Sequence, residues 1–196
     1  MVPWATLALL ALNVALFCRP LRPPSGACLS VQTVWDQGQW HRLFLAPFHH
    51  LSWCHLLMNM ATLFWLGREM EREAGGLQTG TLLLFLALLG GLLHLVLNAL
   101  LALLTGHQWY WQHCAVGFSG VLFSLEAMGR QVEPFPVASL ASGVTVTTRW
   151  LCLLECLLLA LLHPRSSLTG HVSGILAGLA LAAGPLRLGS SSSSDS

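Results

Sequence analysis

The chain has no lysine at all; its nine basic residues are all arginine, balanced by eight acidic ones for a net charge of +1. Charged residues fill only 9% of the 196 positions, against roughly a quarter in an ordinary soluble domain. Such a balance excludes the basic surface that nucleic acid selects, so no nucleic-acid partner is expected. The missing lysines also remove the usual side-chain acceptor for ubiquitin. There is no N-x-S/T acceptor, no C-x-x-C pair and no H-E-x-x-H zinc signature. The six cysteines lie mostly in or beside apolar runs. They read as small buried hydrophobes rather than a disulfide framework or a metal set.

What the chain has in quantity is apolar surface. Hydrophobic residues make up 55% of it, more than a soluble fold of this length can hide. The composition therefore reads as a polytopic, all-α membrane protein in contact with a lipid bilayer. A spanning helix needs about 20 apolar residues, and six candidates appear. They are "VPWATLALLALNVALFC" (2–18), 51–70, 79–106, 114–129, "VTVTTRWLCLLECLLLALL" (144–162) and 167–184. The first reads as an anchor rather than a cleaved signal, because no basic residue precedes its apolar run. Residues 19–50 form a long mixed loop whose Trp35, Trp40 and Phe48 suit the headgroup level. Residues 1–188 are expected to form one membrane domain and 189–196, "GSSSSSDS" with the preceding leucine excluded, a flexible polar tail. Arginines divide almost evenly between alternate loops and set no orientation.

The fourth segment is too short to span, since fifteen residues rise only about 22 Å. Polar backbone must then dip into the membrane, which is tolerated only where it lines a cavity or is buried in protein. At that place stands "CAVGFSGVLF", with Ser119 between glycines at a loop-to-helix junction. Its amide belongs to the unpaired N–H groups of a helix start, where partial positive charge suits an oxyanion. The bland alternative is a small serine at a helix contact.

The partner decides between them. "TGHVSGILAG" sets His171, Gly174 and Gly178 at i, i+3 and i+7, on one face of the sixth segment. Glycines allow another backbone close approach, which would bring the imidazole to a hydroxyl as nucleophile activation requires. In "HHLSWCHLLMNM", His55 and Asn59 are four apart and share a helix face. Both can donate toward one point, which is what an oxyanion hole needs. No carboxylate or cysteine completes a metal set around these histidines, so neither a metal nor a cofactor is expected. A haem or ion carrier would need facing histidines, and His94, deep in the third segment, has no evident mate. Arg149 and Glu155 are six apart and do not share a helix face.

Together these residues resemble the rhomboid family of intramembrane serine proteases. The matching pieces are W-x-R at Trp40 and Arg42, H-x4-H-x3-N at His50, His55 and Asn59, and G-x3-E-x3-G at Gly67, Glu71 and Gly75. GxSG at Gly117–Gly120 and H-x2-G-x3-G at His171, Gly174 and Gly178 complete the set in family order. The wording "APFHH" and "CAVGFSGVLF" is similar to endoplasmic-reticulum members with six helices. The resemblance implies a six-helix rhomboid bundle with a short fourth helix. It also implies multi-pass residence in the endoplasmic reticulum membrane and cleavage of single-span or polytopic membrane proteins, as in membrane protein quality control.

It further implies a dyad, with Ser119 as nucleophile and His171 as general base and acid. His55, Asn59 and the Ser119 amide would hold the oxyanion. Gly117, Phe123, Gly174 and Gly178 would shape the site, while His50, Arg42 and Glu71 would organise the first loop and second helix. No acidic third member is expected: Glu126 lies two turns below Ser119, about 10 Å away by helix rise. Phe123 stands where many members carry a tyrosine, keeping the ring and losing the hydroxyl. The ubiquitin- and ATPase-binding tail of some members has no counterpart in "GSSSSSDS", so those partners are not expected. The competing reading is a proteolytically silent rhomboid-fold protein that binds and escorts membrane clients for degradation. The presence of both serine and histidine favours the enzyme.

Overall fold

The computed structural model describes residues 2–129, 157 and 167–183. The expected fifth segment with Arg149 and Glu155, and the polar tail, lie outside the described residues apart from Leu157. Eight α-helices occur among them: α1 Trp4–Cys18, α2 Pro24–Ala27, α3 Arg42–Leu45, α4 Trp53–Ala74, α5 Gly76–Thr105, α6 Gln108–Gln112, α7 Ser119–Met128 and α8 Leu168–Ala183. A π-turn, Gln32–Asp36, and a 3₁₀ turn, Ala46–Phe48, complete the loop between α1 and α4. The one strand-like feature among the described residues is an antiparallel bridge between Leu29 and Ala115.

Local chemistry sets the helix ends. Ser52 caps α4, its hydroxyl accepting from the His55 amide at 3.2 Å. Gly75, with φ of +84°, stops α4, and α5 starts at the next residue. α5 is apolar all round and, at 30 residues, about 45 Å long. Only 22% of its most apolar 18-residue stretch is covered by protein. A helix of that composition inside a soluble protein would sit in the core; here Leu84, Phe85, Leu92, Val96 and Leu100 point outward. Its length and composition suffice to cross a membrane. α1, α7 and α8 are shorter apolar helices.

α1 lies across α4 and is held by a charge. Glu71 is buried and accepts from the Ala5 and Thr6 amides, both at 2.9 Å, and from the Thr6 hydroxyl at 2.8 Å. No side chain of α1 itself caps that end, so Glu71 serves as a remote cap at the positive end of the dipole. Gly67, one turn earlier, leaves room for Thr6. Glu71, on the second helix of the expected set, thus ties α4 to the start of α1. Leu56, Leu63, Leu83, Leu86, Phe118 and Val121 form the heart of the core beneath the loops.

One expectation is corrected. Cys28 and Cys114 are not isolated buried hydrophobes but a disulfide, with Cα atoms 5.6 Å apart across 86 residues. The Leu29–Ala115 bridge brings them together, a tertiary pairing that sequence spacing does not show. Cys18 and Cys54 are free and exposed. Phe48 is half-buried and packs on Phe118, ring centres 5.8 Å apart. Trp35 and Trp40 are exposed.

Candidate active site

The site is assembled by the packing of α7 on α8. A Cβ on Gly174 would overlap the Gly120 carbonyl oxygen, and one on Gly178 would overlap that of Ser124. Only glycine permits this approach, which brings the two backbones into contact. Ser124 seals it: its fully buried hydroxyl lies 2.8 Å from the Gly120 carbonyl oxygen and 2.7 Å from that of Gly174. Sequence reasoning missed Ser124, although G-x3-S at Gly120 and Ser124 is the small-residue stripe facing the glycines of α8.

Because the backbones touch, the side chains one turn above them meet. Ser119 is the first residue of α7, and its Oγ lies 3.0 Å from Nε2 of His171. His171 is buried at 4% exposure, and its Nδ1 has no hydrogen-bond partner among the described residues. The Phe123 ring lies against the imidazole, ring centres 4.7 Å apart. No carboxylate touches the far side of that histidine among the described residues.

α4 also contributes to the lining of the site. His55 and Asn59 line the same cavity, of about 360 Å³, as Ser119, Gly117 and His171. The Asn59 side-chain nitrogen is buried and has no partner among the described residues. Gly117 has φ of +111°, and a Cβ there would stand 2.5 Å from the His55 ring. The glycine therefore serves both the turn and the fit of the imidazole beside it.

His50 lies behind His55, ring centres 5.0 Å apart, with its Nε2 3.5 Å from the Phe118 amide. Burial, and then the neighbouring His55 and His49, push its pKa down to about 3. It is a neutral ring at physiological pH. Arg42 organises the first loop, donating to Gln39 Oε1 at 2.6 Å and to the Ser25 and Cys28 carbonyls at 3.0 and 2.9 Å.

His94, expected to have no histidine beside it, lies against His113, ring centres 6.3 Å apart. Its Nδ1 lies 3.0 Å from the Asn98 amide nitrogen, which also donates to Thr169 Oγ1 at 3.0 Å. On the adjoining side His113 Nε2 meets Ser167 Oγ at 2.9 Å, and that hydroxyl accepts from the Gly170 amide at 3.1 Å. These contacts tie the start of α8 to α5 and to the loop before α7. No group of three or more metal-ligating side chains occurs among the described residues.

A Rhomboid domain model matches residues 37–187, more than half the chain. The chain belongs to the rhomboid family. Its relatives include human Rhomboid-related protein 4, 37% identical over 186 residues, which covers 95% of this chain and 59% of that protein. Arabidopsis thaliana Rhomboid-like protein 14, mitochondrial, is 32% identical over 91% of the chain and 56% of its own length. Rhomboid-type serine protease 2 of Yarrowia lipolytica is 30% identical over 74% of the chain and 47% of its own length. The chain thus spans about 59% of the first of these relatives. Rhomboid family members are membrane proteins, and α5 fits that membership by length and composition.

Proposed function

We propose that this rhomboid chain is an intramembrane serine endopeptidase that cleaves membrane-embedded segments of other proteins with a Ser119–His171 dyad. The observation that carries the reading is the 3.0 Å approach of Ser119 Oγ to His171 Nε2 at the wall of a cavity. The name of the Yarrowia lipolytica relative, a serine protease, lends it support. In this reading the Ser119 hydroxyl donates its proton to Nε2 as Oγ attacks the scissile carbonyl. The Ser119 amide and the side chains of His55 and Asn59 receive the oxyanion of the tetrahedral intermediate. His171 then returns the proton to the leaving amine, and an acyl-enzyme on Ser119 remains for water to resolve. With Nε2 accepting, the ring proton sits on Nδ1. The imidazole is then oriented by Phe123 and by the helix contact rather than by a carboxylate.

The same proposal includes a multi-pass, six-span arrangement in the endoplasmic reticulum membrane, with single-span or polytopic membrane proteins as substrates. α7, at ten residues, rises only about 15 Å, which suits a site reached by water from one face. The test is labelling of the detergent-solubilised chain by a fluorophosphonate probe, alongside cleavage of reconstituted single-span helices. Wild type is expected to label and cleave, Ser119→Ala to do neither and His171→Ala to lose nearly all of both. Cleavage retained in purified Ser119→Ala overturns the assignment. Client binding without labelling of folded wild type would favour a silent, escorting protein instead.

A further inference from the structure

The Cys28–Cys114 disulfide joins two loops that approach the candidate nucleophile from opposite sides of the chain. Cys114 stands five residues before Ser119, and Cys28 opens the strand-like stretch that pairs with it. Directly beyond the bridge, Leu29 and Ala115 exchange backbone hydrogen bonds of 2.8 and 2.9 Å. Two residues further, the Gly117 amide donates to the Ala46 carbonyl at 2.9 Å. Gly117 in turn leaves the space that the His55 ring occupies. On the other flank, Trp111 Nε1 donates to Asp36 Oδ2 at 2.8 Å. A continuous set of contacts therefore runs from the sulfur bridge to the turn that starts α7.

We propose that Cys28 and Cys114 form a redox latch that positions the Gly117–Ser119 turn, so that reduction of the bridge lowers the reactivity of Ser119. This deepens the serine-hydrolase reading and rests on it. The bridge is the one covalent link in the set, and both cysteines are only partly buried, within reach of a small dithiol. Such a dithiol would give up two electrons and two protons, ending as its own disulfide and leaving Cys28 and Cys114 as two thiols. The backbone bonds and the Trp111–Asp36 contact would remain as weaker ties. The loop is then expected to loosen rather than unfold. Small displacements are enough, because the oxyanion donors act only at hydrogen-bond range.

The experiment treats purified wild type in detergent with a dithiol, confirms the state of the pair by alkylation and mass mapping, and measures two readouts. The first is the rate of fluorophosphonate labelling at Ser119. The second is hydrogen–deuterium exchange in the peptide spanning residues 114–120. Reduction is expected to slow labelling on the order of 10- to 100-fold, the scale of ångström misplacement, and to speed exchange. Reoxidation should restore both. The double variant Cys28→Ser, Cys114→Ser should sit at the reduced level in either condition, which assigns the effect to this pair and not to the other four cysteines. Full reduction with unchanged exchange overturns the latch, as does free alkylation of both cysteines in untreated protein, or unchanged labelling in protein that does label. If oxidised protein never labels but its exchange rises reversibly on reduction, the latch stands and the hydrolase reading is what fails.

Discussion

Gly174 of α8 stands directly against the carbonyl of Gly120 in α7, with no room for a methyl group between them. This one contact determines whether the hydroxyl above it reaches the imidazole. Substituting Gly174 forces the helices apart, because the obstructing atom is backbone oxygen rather than a flexible side chain. Gly174→Val is expected to abolish labelling of Ser119 and to lower the thermal midpoint. Gly174→Ala should do the same to a smaller degree, with overpacking costing about 1–3 kcal/mol. Thermal unfolding in detergent, run beside probe labelling, checks both effects.

Asn59 presents a buried amide with its nitrogen unpartnered among the described residues, in the lining of the cavity that Ser119 also lines. A donor left idle in the resting protein gains its acceptor only when charge develops on the substrate oxygen. Asn59→Ala is therefore expected to cut kcat by about 10²–10³ while KM moves little. It should not destabilise the fold, since removing a buried polar group without a partner loses no hydrogen bond. Steady-state cleavage of a reconstituted substrate and a parallel melting curve make the comparison. A raised KM at constant kcat would place Asn59 in ground-state binding instead.

The legible parts of this chain were those written locally. The starts and ends expected for four of the helices fall within a few residues of α1, α4, α5 and α8, because length and apolar run decide them. The six-span count goes further than the described helices do, since α5 alone combines the length and hydropathy of a span. The fourth segment, expected from residue 114, becomes helical only at Ser119: Ala115 pairs with Leu29, and Gly117 and Phe118 form the turn that leads into α7. That pairing, and the disulfide beside it, join residues 86 apart and leave no periodic trace. The glycine face of α8 was readable, whereas its counterpart at Gly120 and Ser124 was hidden behind the more conspicuous GxSG. His94 found its partners four residues along its own helix, on α8 and in His113, a polar cluster whose members from α8 and His113 spacing along the chain does not show.

Glu71 accepts three hydrogen bonds from the start of α1 while almost wholly buried, at 1% exposure. Removing it would strand two backbone donors and a hydroxyl at a helix end that no other side chain caps. Glu71→Ala is expected to cost about 3 kcal/mol, the scale of lost bonds to a buried charge. Glu71→Gln should recover part of that through its one remaining oxygen. Because the contact is remote from Ser119, the fraction that stays folded should label at the wild-type rate. Chemical unfolding in micelles measures the first effect and probe kinetics the second. Equal stability of Glu71→Ala and wild type would show that α1 is held by other means.

His50 ties the acid response of the fold to a residue beside the site. Its folded-state pKa is pushed down to about 3, first by burial and then by His55 and His49, from about 6.5 in the unfolded chain. Between those values the unfolded chain binds a proton that the folded chain refuses, so stability rises with pH through that window. The stability is fully present above about pH 6.5 and is lost progressively as pH falls toward 3. One such group gives a slope of about 1.4 kcal/mol per pH unit in the middle of the window. His113, whose pKa burial also lowers, adds a loss of the same sign. Unfolding free energy measured in detergent from pH 7.5 to pH 4.5 should therefore decline, and His50→Gln should flatten the decline by about one proton. A slope unchanged by that substitution would mean that His50 takes up its proton without leaving the folded state. The ring would then be reached by water between His49 and His55, and its neutrality would not help hold the turn at Phe118.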